Sequence, residues 1–184
     1  LSKTFDTTRV LDRVAFALDG GEIRALMGEN GSGKSTLIKI LAGYHEPDPG
    51  AQVALRGLPL TFPLKPGESR RLGMCFVHQD LGLVSAGTVV ENLFVGQFQP
   101  GRARRIRWRS EIARARQALG RFGLAHVDPA QTVGTLDAAD RASLAIVRAT
   151  YSLASGPGQQ DPGRKGLLVL DETTSFLPDD GVNR

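Results

Sequence analysis

Three features of this 184-residue chain predict an α/β fold. "LMGENGSGKSTLIKILAG" (residues 26–43) is a glycine-rich, lysine-bearing loop set between an apolar run and a run with helical spacing. "LLVLDE" (167–172) is a short continuous apolar run ending in two acids, as in strands inside a parallel sheet. Between the two, the apolar spacing turns helical. The order is therefore α/β core, helical insertion, α/β core again.

The elements follow in turn. "RVLDRVAFAL" and "EIRALM" read as strands joined by the turn "DGG". "STLIKILAG" reads as a helix stopped by Gly43. "AQVAL" and "LPLTF" form a hairpin across Arg56-Gly57, and "MCFVHQD" is a short buried strand with a polar end. "TVVENLFVG" opens a helix at Thr88 with Glu91 three residues on, the spacing of a capping box. "WRSEIARARQALGRFG" places Ile112, Ala115, Leu119 and Phe122 on one helical face. A third helix runs through "AADRASLAIVRATYSLA", and "SGPGQQDPGRKG" then breaks the pattern as a flexible loop. Residues 1–80 and 166–184 are expected to form the core, 81–154 a helical subdomain and 155–165 the loop. Both ends read as cut: the chain starts without methionine inside a patterned segment and stops soon after its last motif.

Composition excludes several classes of function. No run approaches the eighteen apolar residues of a membrane span, and "LSKTFDTTRV" has no apolar signal region. One cysteine, Cys75, cannot form an internal disulfide and fits a reducing compartment. His45, His78 and His126 lack metal-ligand spacing, so no zinc site is expected. Much of the net charge of +4 sits in "GRARRIRWRSEIARAR", which carries seven arginines against Glu111. No nucleic-acid-reading motif accompanies that charge, so a solvated helix face or a surface docked near a membrane is favoured over a nucleic-acid footprint.

Gly28-Glu29-Asn30-Gly31-Ser32-Gly33-Lys34-Ser35 fits G-x-x-x-x-G-K-[ST] in full (Walker A), the mark of a P-loop NTPase. Glycines let the backbone curl so that its N–H groups point inward, and a helix N-terminus adds partial positive charge. Lys34 would neutralise β- and γ-phosphates, and the Ser35 hydroxyl would ligate Mg²⁺, with Thr36 completing the nucleotide-binding stretch. Asp171, ending its strand, can hold Mg²⁺ through water, while Glu172 can polarise an attacking water. Gln79, just past a strand in "FVHQD", can reach both the metal and that water.

This order of strand, phosphate loop, glutamine loop, helical insertion and "hhhhDE" resembles the ATP-binding cassette (ABC) ATPases over essentially the whole chain. "GENGSGKSTLIKILAG", "FVHQDLGLVSAGTVVENLFVG" and "LDET" look like the first cassette of bacterial ABC importers of ribose, galactose, arabinose and related monosaccharides. The resemblance implies a RecA-like core with an antiparallel β subdomain and a helical insertion, truncated here at the C-terminus. It also implies ATP and Mg²⁺, Phe5 stacked on adenine, and a place at the cytoplasmic face of the membrane. The implied partners are a second cassette in a head-to-tail dimer, fused or separate, transmembrane permease subunits and, indirectly, a sugar-binding protein. The expected function is ATP hydrolysis that powers sugar import.

There are departures. The family's LSGGQ signature is "TLDAAD" here: Leu136 survives, Asp137 replaces serine, Ala139 the second glycine and Asp140 the glutamine. Thr173 replaces a proline after Glu172, Pro178 stands in the D-loop region, and the switch histidine would lie beyond Arg184. Two other functions stay open on this basis: a soluble ABC module in DNA repair or translation, and a degenerate cassette that binds ATP as a dimer half. A repair ATPase would need a long coiled coil after Gln79, and no sustained heptads occur. A GTPase would need an N/T-K-x-D segment, and none occurs.

Overall fold

In the computed structural model, residues 1–98, 105–155 and 166–171 are described. They fall into two compact units: residues 1–74 with 166–167, and residues 75–98 and 105–155 with 168–171.

In the first unit, β1 (Lys3–Phe5) and β2 (Thr8–Leu11) pair antiparallel. The Thr4 N–H and hydroxyl donate to the Asp48 carboxylate at 3.0 and 2.9 Å, and these bonds hold the Asp48 carboxyl below the usual carboxylate range. α1 (Lys34–Ala42) buries Leu37, Ile38 and Ile40. Leu37 and Ile40 join Leu11 of β2 in a small core flanked by Leu1, Val14 and Phe62. Gly43 ends α1 at φ 89°, returning its N–H to Ile40. β3 (Ala54–Leu55) and β4 (Leu58–Pro59) form the expected hairpin, with Arg56 and Gly57 both at positive φ. A single turn, α2 (Glu68–Arg71), follows.

Two expected strands are corrected. The first ends at Leu11, and residues 22–27 ("EIRALM") are not a strand; Ile23 is 99% and Met27 88% exposed. Alternating apolar residues make a strand only where a neighbour takes up the backbone N–H and C=O groups, and among the described residues no strand pairs with these.

β5 (Met74–Val77) pairs with β6 (Leu167–Leu170). Leu167 N–H donates to the Gly73 carbonyl at 2.9 Å and Asp171 N–H to the Val77 carbonyl at 2.8 Å, so the register ascends together and the pair is parallel.

The second unit packs α3 (Val89–Phe94), α4 (Trp108–Arg121) and α5 (Ala138–Ser155). Val89, Leu93, Phe94, Ala115, Leu119, Leu144 and Val147 form its core. Ala145 and Ala149 give α5 a second buried face, which packs on Cys75 and Val77 of β5. Phe122 is corrected: it is 42% exposed, because α4 ends at Arg121 and Phe122 leaves the helical path at φ −110°, ψ 18°. The loop expected over 155–165 lies, from residue 156 on, outside the described residues, and Ser155 closes α5.

The capping box at α3 is complete. The Thr88 hydroxyl accepts the Glu91 N–H at 3.4 Å, and the Glu91 carboxylate accepts the Thr88 N–H and hydroxyl, each at 2.7 Å. The Thr88 bonds hold the Glu91 carboxyl below its usual range. Thr88→Ala should cost about 1 kcal/mol in thermal or denaturant melts at neutral pH. A depressed carboxyl contributes stability above its unfolded pKa of about 4.3 and loses it as pH falls through the folded value. The gap between wild type and variant should therefore narrow as the melts are taken further into acid.

Candidate functional site

Gly28 to Ser35 curl into a loop that delivers the chain onto α1. Ser32 N–H donates to the Glu29 carbonyl at 3.1 Å, and Gly31 and Gly33 sit at φ 85° and 90°. Gly33 is the N-cap and supplies no side-chain cap, and the first helical bond is that of Leu37 N–H to the Gly33 carbonyl at 2.9 Å. The N–H groups of Lys34, Ser35 and Thr36 precede that bond and, among the described residues, have no backbone partner. Three open donors at the positive end of a helix dipole form a cradle for an anion. Lys34 lies back over the loop, its Nζ donating to the carbonyls of Gly28 at 2.8 Å and Glu29 at 2.9 Å. An ammonium has three donors, so one is left over.

The neighbours of Gly33 show why glycine is needed there. A Cβ would meet Leu11 Cδ2 at 2.6 Å and the Val10 carbonyl oxygen at 2.9 Å, so β2 and the start of α1 can approach only without one. Gly33→Ala adds a positive φ to that clash and should cost about 1–3 kcal/mol. A melt of the variant lying within about 0.5 kcal/mol of wild type would show that the loop relaxes around a methyl group.

In the second unit, Gln79 and Asp171 leave the same end of the parallel pair. Asp171 follows β6 directly and its N–H is bonded to Val77, two residues before Gln79. Gln79 is exposed at the start of a loop held further along by two side chains outside the sequence-predicted set. The Arg148 guanidinium, from α5, donates to the carbonyls of Leu81 and Gly82 at 2.6 Å each. Asn92, buried in α3, accepts the Val84 N–H at 2.8 Å and donates to the carbonyls of Val84 and Thr88 at 3.0 Å. Asn92 was visible as a lone amide in the apolar run "VVENLFV", whereas nothing in the sequence marks Arg148 for this role.

The stretch "TLDAAD" opens α5. Leu136 is buried. Asp137 Oδ1 accepts the Asp140 N–H at 2.7 Å, a helix cap, and Asp140 places both carboxylate oxygens 3.0 Å from His126 Nε2. Phe5 is 37% exposed, with His45 edge-on at a centroid distance of 5.2 Å and Lys3 Nζ 4.9 Å from the ring centre. Lys34, Ser35 and Thr36 belong to the first unit, Gln79 and Asp171 to the second, and Glu172 lies outside the described residues.

Comparison with known proteins identifies the family. The ABC transporter family model matches residues 11–175. A ribose import ATP-binding protein of Bacillus cereus is 36% identical over 180 residues, 97% of this chain and 34% of the relative. An arabinose import ATP-binding protein of Ralstonia nicotianae is 36% identical over 177 residues, 96% of this chain and 32% of the relative. The chain thus spans about a third of the length of the curated relatives it matches. Two solved ATP-binding cassettes share the fold. A nucleotide-free one superimposes with TM-score 0.68 at 22% identity, covering 95% of this chain and 80% of its own. A dimeric one, in a post-hydrolysis state with ADP and Pi, gives TM-score 0.72 at 20% identity, covering 99% and 75%. The fold is that of the ABC ATPases, a P-loop NTPase architecture, and the chain belongs to the ABC transporter family.

Proposed function

We propose that this chain is the nucleotide-binding part of an ATP-hydrolysing subunit that powers import of a sugar. The observation that carries this reading is the Gly28–Ser35 loop, closed onto α1 with the N–H groups of Lys34, Ser35 and Thr36 open at the helix N-terminus. The names of the ribose and arabinose import relatives support the substrate class.

Glu29, Asn30 and Ser32 complete the wall of the loop, and Phe5 is the proposed adenine contact. The backbone donors bind and orient the phosphates, and Lys34 exchanges its bonds to Gly28 and Glu29 for phosphate oxygens. The Ser35 hydroxyl, the Gln79 amide oxygen and the Asp171 carboxylate are hard oxygen donors, the chemistry Mg²⁺ requires. When bound, Mg²⁺ neutralises charge on the transferring phosphoryl group. Glu172 orients the attacking water and accepts its proton, with Gln79 steadying that water from the loop that Arg148 anchors. Residues 1–80 and 166–184 would act as the core and 81–154 as the helical subdomain. The proposed setting is peripheral, on the cytoplasmic face of a membrane, with a second cassette and permease subunits as direct partners and a sugar-binding protein acting indirectly.

Calorimetric titration of the chain with Mg-ATP and Mg-GTP tests the reading. Saturable ATP binding with clearly weaker GTP binding is expected. No ATP binding, or tighter binding of GTP, would overturn it. Asp137 and Asp140 favour a second reading alongside it, a cassette whose own signature contributes little to its partner's site.

A further inference from the structure

We propose that the start of α4 is a docking surface for anionic phospholipid. Arg105, Arg107, Arg109 and Arg116 are all exposed, and no ion pair engages them among the described residues. Glu111, the one acid of α4, is buried and paired with Arg114 at 3.2 Å. Arg109 and Arg116 stand seven residues apart, two helical turns, on one stripe of α4, and that outward face carries no acid.

The side chains interleaved with these arginines identify the partner. Ile106 and Trp108 are 37% and 44% exposed, and the Trp108 ring is held edge-on to Phe98 at 5.6 Å. Guanidinium groups bind phosphate oxygens through paired donors, and a half-exposed indole beside them suits the boundary between headgroups and acyl chains. A duplex or single strand would attract the same charge, yet Ile106 offers nothing for a base to stack on, whereas an acyl boundary takes both apolar side chains. Among the described residues no helix is long and apolar enough to cross a membrane, so contact of this kind is peripheral.

Trp108 is the chain's single tryptophan, so its fluorescence reports on the patch alone. The chain is mixed with phosphatidylcholine vesicles, with or without a quarter phosphatidylglycerol, and bound protein is separated by sedimentation. Binding to the anionic vesicles only is expected, with a blue shift of Trp108 and loss of binding in high salt. Basic residues near an anionic surface each contribute roughly fivefold in partitioning, so Arg105→Ala/Arg107→Ala/Arg109→Ala/Arg116→Ala should lower it at least about a hundredfold. Circular dichroism checks that this exposed quadruple variant stays folded. Equal binding to neutral vesicles, an unshifted Trp108, or unchanged binding of the folded quadruple variant would overturn the proposal. So would displacement from vesicles by a DNA duplex or single-stranded RNA at equal phosphate concentration.

Discussion

Lys34→Ala should weaken Mg-ATP binding at least about a hundredfold, to beyond the reach of calorimetry. The Nζ supplies the only side-chain cation in the loop, and it rests on the exposed carbonyls of Gly28 and Glu29, bonds it can exchange for phosphate oxygens. Hydrogen bonds to charged groups contribute about 1.5–3 kcal/mol each, and a tenfold change in Kd corresponds to about 1.4 kcal/mol, so losing two such bonds to phosphate accounts for that factor. The loop carbonyls are exposed, so freeing them to water costs little, and the melting temperature without nucleotide should fall by only a few degrees. A stable variant that binds ATP as wild type does would remove Lys34 from the site. A variant that has lost its melting transition would instead give the two carbonyl bonds a structural role larger than their exposure suggests.

How much of this could be read from residues alone depends on whether the signal was local. The capping box of Thr88 and Glu91 lies within four residues, and its hydrogen bonds have the expected pattern. The hairpin across Arg56-Gly57 was equally local, although residue type marks a positive φ only at the glycine and Arg56 shares it. The helix after the phosphate loop and the turn at Gly43 belong to the same class. Residues 22–27 failed because a strand needs a partner, and pattern within one segment says nothing of whether a partner is there. Phe122 failed because the face was right but the helix stopped one residue short. Arg148 was missed for a related reason: it acts on Leu81 and Gly82, more than sixty residues away, and no short window contains both ends of that bond.

In a full-length subunit, Glu172→Gln should keep ATP affinity and cut turnover at least about a hundredfold, since a positioned base contributes about 10²–10⁴-fold. The amide preserves shape and hydrogen bonding to the water but cannot take its proton, so binding and chemistry separate. The consequence for transport turns on "TLDAAD". In a head-to-tail pair this chain's signature would complete the partner's ATP site, while its own Lys34, Gln79 and Glu172 would rely on the partner's signature. Both carboxylate oxygens of Asp140 lie 3.0 Å from His126 Nε2, and Asp137 has one oxygen on the Asp140 N–H. The carboxylate of Asp137 still lacks the hydroxyl proton that a serine would donate to a γ-phosphate, and it would add negative charge there, so the partner's site should be the weaker one. Serine caps a helix about as well as aspartate, so Asp137→Ser with Ala139→Gly should leave the cap in place and raise hydrolysis at the partner's site alone. Glu172→Gln should then stop transport, whereas the matching change in the second cassette should do little. Single-turnover measurements of each site in the paired subunit decide this: equal hydrolysis at both sites before any repair of the signature would show that Asp137 does no harm across the interface.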